Sequence, residues 1–144
     1  MSTAYEIQFF PTPEYDASNL AGSTLILPGP NSIGNVAQLA IDILIATLSY
    51  TRIGYLDSPY LTPVVGNDAY AEDKLEGHVN TACEVYQGKT PSGTFTILQL
   101  RSPTVKGKGI QFSKALTQWI HTSKFAEILL ITGADGARRT DAQL

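Results

Sequence analysis

The chain has 144 residues, 43% of them hydrophobic and 16% charged, with a formal net charge of −3. That size suits one domain with a single core, and the composition is globular, well away from that of a disordered segment. Ten basic residues stand against thirteen acidic ones, and only Lys106-Gly-Lys108 and Arg138-Arg139 lie close together. Nucleic acid is therefore not expected as a main partner, because phosphate binding needs grouped Lys and Arg.

A single cysteine excludes an intrachain disulfide and fits a reducing compartment. The start, Met1-Ser-Thr-Ala-Tyr-Glu, lacks the basic and apolar regions of a secretory signal. The apolar run from Ile33 to Leu48 is interrupted by Asn35, Gln38, Asp42 and Thr47 and is too short to span a bilayer. A soluble, intracellular protein without membrane contact is expected.

Residues 1–19 read as an extended leader, with Pro11 and Pro13 preventing a helix. Residues 20–144 read as one α/β domain. Leu25-Ile26-Leu27, between Gly22 and Pro28, suits a strand buried on both faces. Pro28-Gly-Pro-Asn then turns the chain, and Ser32 or Asn31 can cap the following helix. Along it Val36, Leu39, Ala40, Ile43 and Leu44 share one face, while Ile41, Ile45 and Leu48 widen the apolar surface. Only Gln38, Asp42 and Ser49 form a polar strip. A helix this apolar is expected to pack on a sheet and also against another element, such as a partner subunit.

Arg52–Leu56 reads as the next strand, and Val64-Val65 as a very short strand or a loop. Gly66-Asn67 is expected to make a left-handed turn, which both residues tolerate, and 67–80 a polar surface loop. Strands at Ala82–Tyr86 and Phe95–Leu100 are separated by Gln-Gly-Lys-Thr-Pro-Ser-Gly, long and turn-rich enough for a hairpin loop. Phe112, Leu116, Trp119 and Ile120 mark an amphipathic helix near 110–123, and Glu127–Thr132 reads as another buried strand. The order implies a mixed, mainly parallel sheet with helices on its faces. Twelve residues follow Thr132 and none reads as a covering helix, so the domain is expected to be C-terminally incomplete.

No catalytic constellation, metal set or cofactor motif emerges. The 29–35 loop lies between a strand and a helix, where α/β proteins often hold phosphate, but it matches no phosphate-binding motif. A turn and helix cap is the plainer reading. His78 sits among Glu72, Asp73 and Glu76 without the spacing of a metal site. His121 suits a helix C-terminus, Cys83 a buried core thiol, and Asp135 a structural turn. Gly34 lets another backbone approach, and Asn35 and Gln38 share one side of the first helical turn. Tyr55, Tyr60 and Tyr70 are candidate interface anchors or ordinary core and rim residues.

Taken in order, Leu25-Ile-Leu-Pro, Ser32-Ile-Gly-Asn-Val-Ala-Gln-Leu-Ala, Arg52-Ile-Gly-Tyr, Val64-Val-Gly-Asn, Glu84-Val-Tyr, Leu98-Gln-Leu-Arg-Ser and Asp141-Ala-Gln-Leu resemble the N-terminal part of the proteasome assembly chaperone 2 family. The resemblance implies a nucleoside-phosphorylase-like three-layer α/β fold without enzymatic activity. It implies pairing with proteasome assembly chaperone 1, contact with proteasome α subunits, and work in the cytoplasm and nucleus during assembly of the 20S α ring. It makes Gly34, Asn35, Gln38, Tyr55, Gly66, Asn67 and Tyr70 the protein-interface candidates. Family chaperones carry a tail ending hydrophobic–tyrosine–any residue, whereas this chain ends Ala142-Gln143-Leu144. The alternative is a small α/β enzyme that binds a nucleoside or phosphorylated metabolite through the 29–35 loop.

Overall fold

A computed structural model describes residues 7–29, 32–70 and 77–138. Its frame is a six-stranded mixed sheet with one helix on each face. In chain order the strands are β1 (Gln8–Pro11), β2 (Thr24–Pro28), β3 (Thr51–Asp57), the short β4 (Val65–Gly66) and β5 (Asn80–Thr81), β6 (Cys83–Thr90), β7 (Gly93–Leu100) and β8 (Glu127–Ile131). The helices are α1 (Val36–Thr47) and α2 (Gly109–Thr122).

Across the sheet the order is β1-β3-β6-β7-β2-β8, and β4 and β5 form a separate two-stranded ribbon. The three pairings from β1 to β7 are antiparallel, while β7-β2 and β2-β8 are parallel. The sheet is mixed as expected, but its parallel part is confined to three strands. α2 carries the chain from β7 to β8 and α1 from β2 to β3, whereas the two-residue turn between β6 and β7 makes that pair antiparallel.

Leu25-Ile-Leu is central, and alternation assigns its residues to opposite layers. Leu25 and Leu27 join Val85, Leu98, Phe112 and Trp119 on the α2 side. Ile26 joins Ile41, Ile45, Tyr86 and Ile97 on the α1 side. Cys83 is a buried member of the α2-side core, and burial pushes its thiol pKa up, as expected of an inert core thiol.

Several expected boundaries move. Residues 8–11, inside the segment read as a leader, pair with β3 at the sheet edge. Gly54 permits that crossing, because a Cβ there would sit 2.4 Å from the Phe10 carbonyl oxygen. The seven-residue hairpin loop shrinks to Pro91 and Ser92, with β6 and β7 paired from Cys83↔Leu100 to Thr90↔Gly93. Gly66-Asn67 is not left-handed, since neither residue has positive φ; Gly66 instead pairs with Asn80 in the ribbon.

β8 departs most from expectation. It was expected to be buried, yet it is an edge strand paired with β2 alone, and Ile128, Leu129 and Leu130 are 52%, 48% and 56% exposed. Among the described residues nothing packs beyond it, so an apolar run lacks the cover that such runs usually have.

The α1 periodicity sorts in a way the pattern alone did not dictate. Ala37, Ile41 and Ile45 face the sheet, while Val36, Leu39 and Ile43 face outward at 53%, 56% and 65% exposure. Two isoleucines two positions apart should therefore respond very differently to truncation. Ile41→Ala is expected to cost about 2–5 kcal/mol, and Ile43→Ala within about 0.5 kcal/mol, measured by urea unfolding of the isolated chain. Equal costs would show that the helix faces are misassigned.

Candidate functional site

Most candidate residues lie at or near the α1 side of the sheet. The chain approaches α1 through a 3-10 turn at Ile33–Asn35, where Gly34 (φ 61°) and Asn35 (φ 55°) are both left-handed. Gly34 is required by this backbone rather than by crowding, because a Cβ added there would meet its nearest neighbour, on Val36, only at 4.0 Å. Asn35 occupies the N-cap position but makes no side-chain cap bond. Ser32 does that work: its Oγ accepts the Ala37 N–H at 3.2 Å and the Gly133 N–H at 3.0 Å. The hydroxyl of the 29–35 loop thus ties the helix start to the end of β8. Asn31, the other expected cap, lies outside the described residues.

Behind α1 lies a buried charged network that sequence reasoning did not single out. Glu84 on β6 has no solvent exposure. Its Oε1 accepts from Arg52 Nη1 at 3.3 Å and from the Thr81 N–H at 3.2 Å. Its Oε2 accepts from Asn80 Nδ2 at 2.6 Å, the Tyr86 hydroxyl at 3.0 Å and Arg101 Nε at 3.5 Å. Arg101 reaches on, with Nη2 3.1 Å from Asp42 Oδ1 and 2.8 Å from the Tyr70 oxygen. Tyr70 in turn donates to Asp42, which also accepts from Gln99 Nε2 at 2.7 Å.

Two carboxylates are therefore matched by two guanidiniums, and every charge has several partners. Burial opposes the charge on Arg101, but Tyr70, Asp42 and Glu84 more than offset it and its pKa rises. A charged residue inside an otherwise apolar strand, as in Ala82-Cys-Glu-Val-Tyr, was the available signal.

This network sorts the candidates. Tyr70 is half-buried and anchors the strap that follows β4; its ring stands edge-on to Tyr86, with centroids 5.6 Å apart. Tyr55 lies under the Arg52 guanidinium, 4.9 Å from the ring centroid, and is half-buried. Gly66 and Asn67 are exposed on the strap. Tyr60 packs against the α2-side core. His78 is exposed and serves through its backbone, whose N–H donates to Asp68 at 3.0 Å. His121 lies in the last turn of α2.

Asn35 and Gln38 come together on the wall of a cleft of about 800 Å³, with Asp42, Gln99, Arg101 and Ser102. Ile33 (51% exposed), Val36, Leu39 and Ile43 form an aliphatic stripe that runs from its mouth along the outside of α1. Among the described residues no cluster of His, Cys, Asp and Glu could hold a metal ion, and no helix is long and apolar enough to cross a membrane.

Fold and surface define a three-layer α/β domain with one charged network, Arg52, Glu84, Arg101 and Asp42, behind α1 and an aliphatic helix face turned outward. The chain belongs to the PAC2 family, which residues 26–143 match. It is 39% identical over 127 residues to proteasome assembly chaperone 2 of Mus musculus, covering 88% of this chain and 47% of that protein. The protein of that name from Nematostella vectensis is 42% identical over 129 residues, covering 88% and 52%. The Homo sapiens protein is 39% identical over 131 residues, covering 89% and 48%. The chain thus spans about half the length of the curated relatives it matches. Among solved structures, Pyrococcus furiosus PbaB, an archaeal proteasome activator, aligns with a TM-score of 0.59 at 17% identity, covering 88% of this chain and 50% of that one. A Thermoplasma acidophilum protein of unknown function aligns with the same score at 18% identity, covering 79% and 43%. These two likenesses support the fold.

The network makes stability pH-dependent at the alkaline end. Burial, and for Tyr70 the hydrogen bond to Asp42, raise that phenol above its ordinary 10.0; burial and the Glu84 charge do the same for Tyr86. The folded chain keeps protons that ordinary phenols release on unfolding, so this stability is complete below pH 10.0 and falls as pH rises past it. Urea midpoints should drop between about pH 9 and about pH 11, and Tyr86→Phe should flatten that slope. An unchanged slope would mean the phenols are not perturbed. Glu84→Gln, which leaves Arg52 and Arg101 undercompensated, is expected to cost about 3–5 kcal/mol in the same assay at neutral pH.

Proposed function

We propose that this chain is a non-enzymatic chaperone subunit that pairs with proteasome assembly chaperone 1 and promotes assembly of the 20S proteasome α ring in the cytoplasm and nucleus. The observation that carries the proposal is the outer face of α1. Val36, Leu39 and Ile43 on α1, and Ile33 in the turn before it, are each more than half exposed, and the helix's other side is already packed on the sheet. Fully burying such a side chain is worth about 1.5–3 kcal/mol, so covering what remains exposed contributes about 1 kcal/mol per residue. Four in line form the apolar centre of an ordinary protein interface. The proteasome assembly chaperone 2 relatives, at about 40% identity, support this direction.

Chaperoning by binding needs no reactive group. It needs a surface that lowers the free energy of a correct intermediate and covers surfaces that would otherwise pair wrongly. The charged residues suit that role by being already committed: Glu84, Asp42, Arg52 and Arg101 hold the framework together.

The test is co-expression of the chain with proteasome assembly chaperone 1 and proteasome α subunits. Wild type should co-purify with both. The double substitution Leu39→Glu, Ile43→Glu should lose the chaperone partner while its melting temperature stays near that of wild type, since both sites are on the surface. Failure of wild type to capture either protein would sink the chaperone reading. Undiminished capture by the double variant would move the interface away from α1.

A further inference from the structure

Strand β8 combines three features that seldom meet on a protein surface. It is a sheet edge, paired with β2 alone. Both of its faces are apolar and open, with Ile128, Leu129 and Leu130 each about half exposed. Apart from Glu127 at its start, it carries none of the devices that keep edges from joining. Residues 128–131 contain no charge, Pro or Gly, and pairing with β2 runs without a bulge from Thr24↔Glu127 to Pro28↔Ile131.

The ladder shows which backbone groups face the open side. The Gly29 N–H donates to the Ile131 carbonyl at 2.6 Å, and Pro28 is the Cα partner of Ile131. In a parallel pair alternate residues of a strand turn both backbone groups to the neighbour. Glu127, Leu129 and Ile131 therefore bond to β2. Ile128 and Leu130 point their N–H and C=O away from it, where the described residues offer them no partner. Ala126, just ahead of the strand, donates to the Ser23 carbonyl at 3.0 Å, so the open run begins at Ile128. Leu129, beside Ile26, lies on the α1 side, and Ile128 and Leu130, beside Leu25 and Leu27, lie on the α2 side.

These features select a second copy of the same strand. A two-fold axis normal to the sheet through Leu129 brings two β8 strands together antiparallel. Ile128 then faces Leu130 of the second copy, and Leu130 faces its Ile128. The residues with open backbone groups meet each other and exchange both bonds at each pair, and their aliphatic side chains lie side by side.

Charge agrees with this direction. The two Glu127 carboxylates fall at opposite ends of the ribbon, about 13 Å apart along it. The exposed Lys124 of each copy comes to the end where the other carries the exposed Asp135. Parallel stacking in register would set Lys124 on Lys124 and Glu127 on Glu127, a like-charge arrangement. The other edge of the sheet matches β8 less well. Pro11 removes a donor from β1, and a β1–β8 contact is heterologous, leaves a free edge on each side and does not close.

We propose that β8 is a homodimerisation edge: a second copy of this chain adds its own β8 antiparallel, centred on Leu129, and the two sheets become one. A ribbon of this length covers less than the total of about 1,600 Å² of a standard interface, so the dimer forms reversibly with concentration. The seam lies at the sheet edge and leaves the outward side of α1 uncovered, so it is separate from the pairing proposed above.

The test is sedimentation equilibrium of the isolated chain from about 5 to about 200 μM, with amide exchange measured at both ends of that range. The mean mass should rise from 15.5 kDa towards twice that value. The Ile128 and Leu130 amides should gain protection as the dimer forms, while the Leu129 amide is protected throughout. Leu129→Lys and Leu129→Glu each place like charges across the axis and should weaken dimerisation by about tenfold or more. Melting should stay near that of wild type, since the site is 48% exposed. Mixed in equal amounts, the two variants should pair with each other, because opposite charges then meet. A chain that stays monomeric, a dimer whose Ile128 and Leu130 amides exchange freely, a dimer that persists in both variants, or variants that fail to pair when mixed would each overturn the proposal. These measurements need no other protein, so a negative result leaves a positive co-purification intact, and the reverse also holds.

Discussion

A carboxylate with no exposure sits in the middle of the sheet, and the arrangement of everything on that face answers to it. An uncompensated buried charge costs several kcal/mol, so Glu84 must find donors. They come from β3 (Arg52), from the residue after β7 (Arg101), from β5 (Asn80 and the Thr81 N–H) and from its own strand (Tyr86). A slip of one residue in β6 would turn Glu84 to the other layer, leaving Arg52 without its carboxylate and Arg101 with Asp42 alone. The register of β3-β6-β7 is therefore pinned by charge as well as by apolar alternation.

The same requirement positions α1. Arg101 holds Glu84 with one nitrogen and Asp42 of α1 with another, and the Tyr70 hydroxyl accepts from Arg101 and donates to Asp42. With Asp42 directed to the network, Ile41 and Ile45 turn inward and Leu39 and Ile43 outward. An almost wholly apolar helix has little preference of its own for one rotation. A single ionised anchor supplies it. The outward aliphatic stripe follows from this setting, and so does the placement of Gln38 on the cleft wall.

Much of the architecture was legible as pattern. Apolar runs located β2, β3, β7 and β8, helical periodicity located both helices, and the composition of the interior pointed to a covered mixed sheet. The errors have identifiable causes. Gln87-Gly-Lys-Thr90 looked like loop because polar residues and glycine are depleted in strands, yet they lie at the wet end of a hairpin whose ladder holds them in place. Gly66-Asn67 carried a turn signal that cross-strand pairing with Asn80 overrode. β8 was read as buried because its residues are apolar, but burial is conferred by neighbours, and among the described residues it has one on one side only.

The sequence by itself determined the element types, the layered α/β class, the apolar excess of the first helix and the candidate residues Gly34, Asn35 and Gln38 near its start. Those are local properties, set by periodicity, capping chemistry and backbone preference over a few neighbouring residues. Only the tertiary structure decided which side of α1 faces out, that Tyr70 is an anchor of a buried network, and that Asn35 and Gln38 share a cleft wall with Arg101. Each depends on groups far apart in the chain, such as Asp42, Glu84 and Arg101, and a charge selects its partner by distance in space, which no spacing along the chain encodes.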